Sequence, residues 1–217
     1  MKRRDFSRAA AGASLALPSL WSAAAVPGAL AIAPGSDFQV LDNKVAVDAP
    51  PGKIEVVEFF WYSCPHCNAF EPALEDWVRK LPKDIGFRRV PVAFRDDFVP
   101  QQRLYYALEA MGLVDKMQAK VFAAIHVEHQ DLAKGEGIVN WVVKQGVDRA
   151  KFLENFNSFS VATKANKATQ LENAYKVEGV PALGVDGRFY TDGSMAKSME
   201  RALQVVEALV VQVRSGK

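Results

Sequence analysis

Lys53 to Val78 reads KIEVVEFFWYSCPHCNAFEPALEDWV, and a change of pattern inside it decides the fold. Lys53 to Phe60 is mostly apolar and β-branched, and a turn stretch, Asp48 to Gly52 (DAPPG), precedes it. This predicts a buried strand. From Cys64 the period becomes helical: Phe70, Leu74, Trp77 and Leu81 recur at three and four, and Pro82 closes the run. Cys64 and Cys67, the only cysteines of the chain, stand where strand gives way to helix.

To either side of this stretch, Phe38 to Leu41 reads as a short strand and Ile85 to Phe94 (IGFRRVPVAF) as another. Pro91 counts against the latter, because proline removes a ladder donor. From Val99 to Glu178 the pattern is helical. Its apolar faces are Leu104, Leu108, Met111; Met117, Val121, Ile125; Ile138, Trp141, Val142; and Val161, Ala165, Ala168, Leu171, Tyr175. They read as helix-bundle core, punctuated by glycines. Strand signals return at Val180 to Val185, Asp186-Gly187 signals a hairpin, and Arg188 to Thr191 continues it. Ser194 is placed to cap a last helix carrying Met195, Met199, Leu203, Val206, Val210 and Val213. A βαβ half followed by a ββα half is the thioredoxin plan, here with a helical domain inserted between the halves. The expected division is 1–31 export signal, 32–98 first half, 99–165 inserted helical domain and 166–217 second half.

Hydrophobic residues are 49% and charged residues 24%, the balance of a soluble globular protein. The first 31 residues have a basic start, an apolar middle broken by Ser14, Pro18 and Ser19, and a small-residue end at Ala29 to Ala31. That is the layout of a cleavable export signal, too weak for a membrane anchor. Lys2 to Phe6 resembles a twin-arginine signal, with Arg3 and Arg4 as the pair. The signal carries a net +3, so the whole-chain charge of +2 becomes −1 without it. Basicity therefore gives no argument for nucleic acid.

A Cys-x-x-Cys pair can hold metal, tether haem, staple the chain or do redox chemistry. Structural zinc wants four ligands; the other histidines, His126 and His129, read as ordinary helix residues, so no metal is expected. A haem tether needs His after the second cysteine, where Asn68 stands. A bridge closing so short a loop constrains little of the unfolded chain. Redox chemistry fits. Cys64 falls at a helix N-terminus, where free N–H groups and the dipole favour a thiolate. Pro65 suits the first turn, His66 adds a group that can donate to or pair with the thiolate, and Cys67 is the expected buried resolving thiol. Glu58, six residues before Cys64, is either a buried carboxylate of raised pKa suited to proton relay or a solvent-facing strand end. Arg88 or Arg89 could neutralise it. Pro181, if cis, would present the backbone of Val180 to an extended peptide beside the cysteines.

VEFFWYSCPHCNAFEP and GVPALGVDGRFYTDG together resemble the DsbA family of exported bacterial thiol:disulfide oxidoreductases. The likeness is strong at these two motifs and architectural in the helical insertion. It implies that Cys64 is the attacked and attacking sulfur and Cys67 resolves. It also implies that His66 tunes the pKa, Glu58 is the buried acid, and Val180 with Pro181 forms the substrate-side loop. Gly184 departs from the family, where an apolar side chain is common, and is expected to leave a gap in the packing or the groove. The resemblance implies a periplasmic, monomeric dithiol oxidase without cofactor. Its clients would be exported proteins with free cysteines, and a DsbB-like quinone-linked membrane partner would reoxidise it. The rivals are a reductase or isomerase on the same fold, a non-catalytic peptide- or metal-binding module, and an enzyme using a small thiol cofactor. A dimeric isomerase would want an N-terminal dimerisation domain, for which strand signals at Phe38 leave no room.

Overall fold

A computed structural model of the chain describes residues 31–216; the expected export signal lies outside the described residues, apart from its last residue. The strand expected at Lys53 to Phe60 is β2 (Ile54–Phe60), and the cysteine helix is α1 (Pro65–Val78). The helix ends before Leu81, whose side chain still packs half-buried against the sheet core. Pro72 lies inside α1 and offers no N–H to the carbonyl four residues back.

Five strands form one sheet in the order β1-β5-β4-β2-β3, where β1 is Gln39–Val40, β3 Ile85–Pro91, β4 Ala182–Val185 and β5 Phe189–Asp192. β2 pairs parallel with β3 and antiparallel with β4. A strand covered on both faces reads as a nearly continuous apolar run, and all of β2 after Ile54 is buried. β3 is an edge strand with Pro91 as its last residue, a position where the missing N–H breaks no ladder; its carbonyl accepts from Gln102 Nε2 at 2.9 Å. Asp186 and Gly187 both have positive φ (52° and 66°), as a tight hairpin requires, and a Cβ on Gly187 would lie 2.0 Å from the Val45 carbonyl oxygen.

The inserted block is five helices: α2 (Val99–Ala110), α3 (Val114–His126), α4 (Gly135–Lys144), α5 (Arg149–Phe156) and α6 (Phe159–Ala174). α5 gave no separate signal because its eight residues offer periodicity only Phe152, Leu153 and Phe156. The boundary expected between 165 and 166 falls inside α6. One core cluster joins the sheet to this block; the other joins the opposite face to α1 and the C-terminal helix.

Two expectations need correction. Ser194 does not cap the last helix. Asp192 caps a four-residue helix, α7 (Gly193–Ala196), and Ser198 caps α8 (Met199–Arg214), accepting from the Arg201 N–H at 3.1 Å. Nor does Gly184 leave a gap. The Tyr175 ring fills the space, and a Cβ there would meet Tyr175 Cε1 at 2.3 Å. Tyr175 stacks at a tilt on Phe59, ring centroids 5.1 Å apart, and its hydroxyl accepts from the Gly187 N–H.

Candidate active site

Strand β2 ends one turn before the cysteines, and Cys64 becomes the N-cap of α1, with extended backbone. Its N–H donates to the Trp61 carbonyl at 3.0 Å. Its sulfur accepts from the Cys67 N–H and, as the neutral thiol, donates to the Val180 carbonyl, both at 3.4 Å. Both thiols are free and buried. Pro65 occupies the first helical turn, and His66 follows it, exposed. The Val180–Pro181 peptide is cis and comes from the segment leading into β4. Local turn chemistry thus places one cysteine at the helix entrance, and sheet pairing brings Val180 to it from more than a hundred residues away. Beside them His66, Val180, Pro181, Asp192, Ser198 and Met199 line part of a cleft of about 360 Å³. A larger cleft of about 490 Å³ lies elsewhere, between Arg88 and α6.

The two sulfurs differ sharply. A hydrogen bond from the Cys67 thiol, then backbone N–H groups of Cys67 and His66 and the charge of His66, hold the Cys64 thiol down to about 6 against the opposing effect of burial. Burial and the neighbouring Cys64 push the Cys67 thiol far above the ordinary range. At neutral pH the pair therefore carries one thiolate, on Cys64, and one thiol.

Glu58 is wholly buried, so the solvent-facing alternative does not hold. The parallel register sets Glu58 beside Arg89, whose Nε donates to Glu58 Oε2 at 3.0 Å. Arg89 Nη2 also donates to Glu71 Oε1 (2.9 Å) and Glu75 Oε1 (2.7 Å) of α1. Arg88 pairs instead with Glu55. One guanidinium thus serves three carboxylates, and burial outweighs it: Glu58 is raised to about 8 and Glu71 to about 7. Glu71 was missed in the sequence, though it lies four residues after Cys67 and so on the same helix face. The Cys67 thiol feels the charge of Glu58.

Of the two histidines expected on a helix, only His126 stands on one. α3 ends at His126, and His129 lies beyond it in left-handed backbone. Among the described residues no three His, Cys, Asp or Glu side chains gather as a metal site.

A helix-capping thiolate, a buried partner thiol and a cis-proline loop on this sheet define a thioredoxin-fold thiol:disulfide oxidoreductase. Residues 84–204 match the family model of the DSBA-like thioredoxin domain. The thiol:disulfide interchange protein DsbA of Burkholderia cepacia is 43% identical over 206 residues, 94% of this chain and 97% of that protein. Its Bordetella parapertussis counterpart is 42% identical over 99% of this chain and 100% of that protein. The chain belongs to the DsbA family. Among solved structures it resembles Pseudomonas aeruginosa DsbA with TM-score 0.80 and 40% identity, over 84% of this chain and 94% of that one. A point variant of that protein gives TM-score 0.83 and 38% identity, over 85% of this chain and 100% of the other.

Proposed function

We propose that the chain is a periplasmic dithiol oxidase that donates its Cys64–Cys67 disulfide to newly exported proteins. The observation that carries this is Cys64 at the mouth of α1, its sulfur within 3.4 Å of both the Cys67 N–H and the Val180 carbonyl. A client thiolate attacks Cys64 of the oxidised pair; the Cys64–Cys67 bond breaks, and Cys67 leaves with the electron pair and takes a proton. A second client thiolate then attacks the client sulfur of the mixed disulfide, and Cys64 leaves as its stabilised thiolate. Two electrons have passed from client to enzyme, and the client gains a disulfide. A stabilised leaving thiolate makes the couple oxidising.

In this reading His66 and Pro65 tune Cys64, and Glu58 exchanges the proton with Cys67. The Val180–Pro181 loop holds the client backbone in extended form. A DsbB-like quinone-linked membrane partner restores the disulfide. The protein acts as a monomer, delivered by cleavage of residues 1–31. Residues 32–98 and 166–217 form the thioredoxin domain, and 99–165 the inserted helical one. Support comes from family membership, the signal-like sequence and the lack, among the described residues, of any helix long and apolar enough to cross a membrane. Cys67→Ala should accumulate mixed disulfides with exported clients, identifiable by mass spectrometry. Equilibration with glutathione tests the direction. A potential as low as that of thioredoxin, about −270 mV, would overturn the oxidase reading.

A further inference from the structure

The segment just before Cys64 is gripped by side chains of the inserted helices. Tyr62 is fully buried, and its hydroxyl donates to Gln118 Oε1 at 2.7 Å. Its carbonyl lies 2.8 Å from His126 Nε2. A carbonyl only accepts, so this contact fixes a proton on Nε2. Gln118 and His126 are eight residues apart on α3 and so present to the same side. The His126 ring stacks on Phe122, which packs in turn on Phe60 and Tyr62. From α2, Gln101 Nε2 donates to Ser63 Oγ at 2.7 Å and to the Leu132 carbonyl at 3.3 Å. The Trp61 ring lies flat on Phe98, centroids 3.8 Å apart.

This gripped backbone touches the redox pair. The Trp61 carbonyl accepts from the Cys64 N–H and so fixes the residue whose sulfur accepts from the Cys67 N–H. We infer that His126 is a positioning residue for the redox pair: its Nε2–H holds the Tyr62 carbonyl and thereby keeps the Trp61–Cys64 turn aligned on the reduced sulfurs. A grip that orders donors towards reduced sulfur stabilises the dithiol over the disulfide, so releasing it makes the couple less oxidising. The inserted helices then do more than cover the sheet; they set part of the potential.

Two substitutions separate the hydrogen bond from the packing. His126→Phe keeps a ring on Phe122 and loses the donor, whereas His126→Gln loses the ring and keeps an amide donor of similar reach. The equilibrium constant for reduction of the pair by glutathione is expected to fall about three- to tenfold in His126→Phe, a tenfold fall being about 30 mV. Its thiolate titration at 240 nm is expected to move to higher pH. His126→Gln is expected to stay within about twofold of wild type on the same scale. If His126→Phe does not fold, His126→Leu, which likewise lacks a donor, takes its place. A His126→Phe constant within that twofold margin, a shifted His126→Gln, or both shifted alike would overturn the inference. The inference rests on the disulfide-donor reading, yet it fails separately. A wild-type couple as reducing as thioredoxin sinks that reading, whereas the grip fails on the ratio of variant to wild type.

Discussion

Replacing Cys64 by serine removes a group that titrates and leaves its neighbours in place. In the folded dithiol its thiol sits at about 6, against an ordinary value of 9.0. A depressed pKa contributes stability that is present above the unfolded value and lost as pH falls through the folded one. The window here runs from 9.0 down to about 6. A thiol lowered that far would supply, as a ceiling, about 3 kcal/mol at pH 8, about 1 kcal/mol at pH 7 and essentially nothing at pH 5. Exposed Pro65 and His66 follow Cys64 directly, so solvent screening should leave about half of this. The assay is urea unfolding of the reduced wild type and the reduced Cys64→Ser variant at pH 5, 7 and 8. The stability difference between them should grow in favour of wild type by about 1–2 kcal/mol from pH 5 to pH 8. Absorbance at 240 nm should show thiolate forming with a midpoint near the same folded value. A difference that stays flat with pH, or a thiolate midpoint near the ordinary 9.0, would refute the assignment of the charge to Cys64.

Glu58 carries the opposite sign: raised to about 8 from 4.5, it favours the fold below pH 4.5 and loses that contribution as pH rises through 8. Glu58→Gln, measured as oxidised protein so that neither thiol titrates, should gain about 2–3 kcal/mol over wild type between pH 5 and pH 8, with Glu71 keeping part of the slope; identical pH profiles for the two proteins would sink the account. Gly184→Ala drives a methyl into the Tyr175 ring and should lower stability by about 1–3 kcal/mol, read as a lowered urea midpoint; an unchanged midpoint would mean that the ring is free to move. Removing the α8 cap with Ser198→Ala should cost about 1 kcal/mol, whereas Ser194→Ala should stay within about half of that; thermal melts that rank the two the other way would reject the cap assignment.

Much of the site follows from local chemistry and is therefore legible in the chain itself. The switch from apolar strand to helical period at Cys64, the proline in the first turn and the Asp186-Gly187 hairpin each depend on residues within a few positions of one another. The helix entrance that lowers the Cys64 thiol is of this kind. The choice between Arg88 and Arg89 was not legible, because both lie on β3 next to each other. Only the parallel register of β2 on β3, with Glu58 opposite Arg89, decides it. Tyr175 filling the place above Gly184, Ser198 rather than Ser194 capping α8, and His126 reaching the Tyr62 carbonyl were decided the same way. Which atoms could do the chemistry is written in the chain's local order, since a thiolate at a helix N-terminus is a local property. The tertiary structure decided how those atoms are tuned, since burial and charge pairing arise between segments that meet only once the sheet and the inserted helices have closed around them.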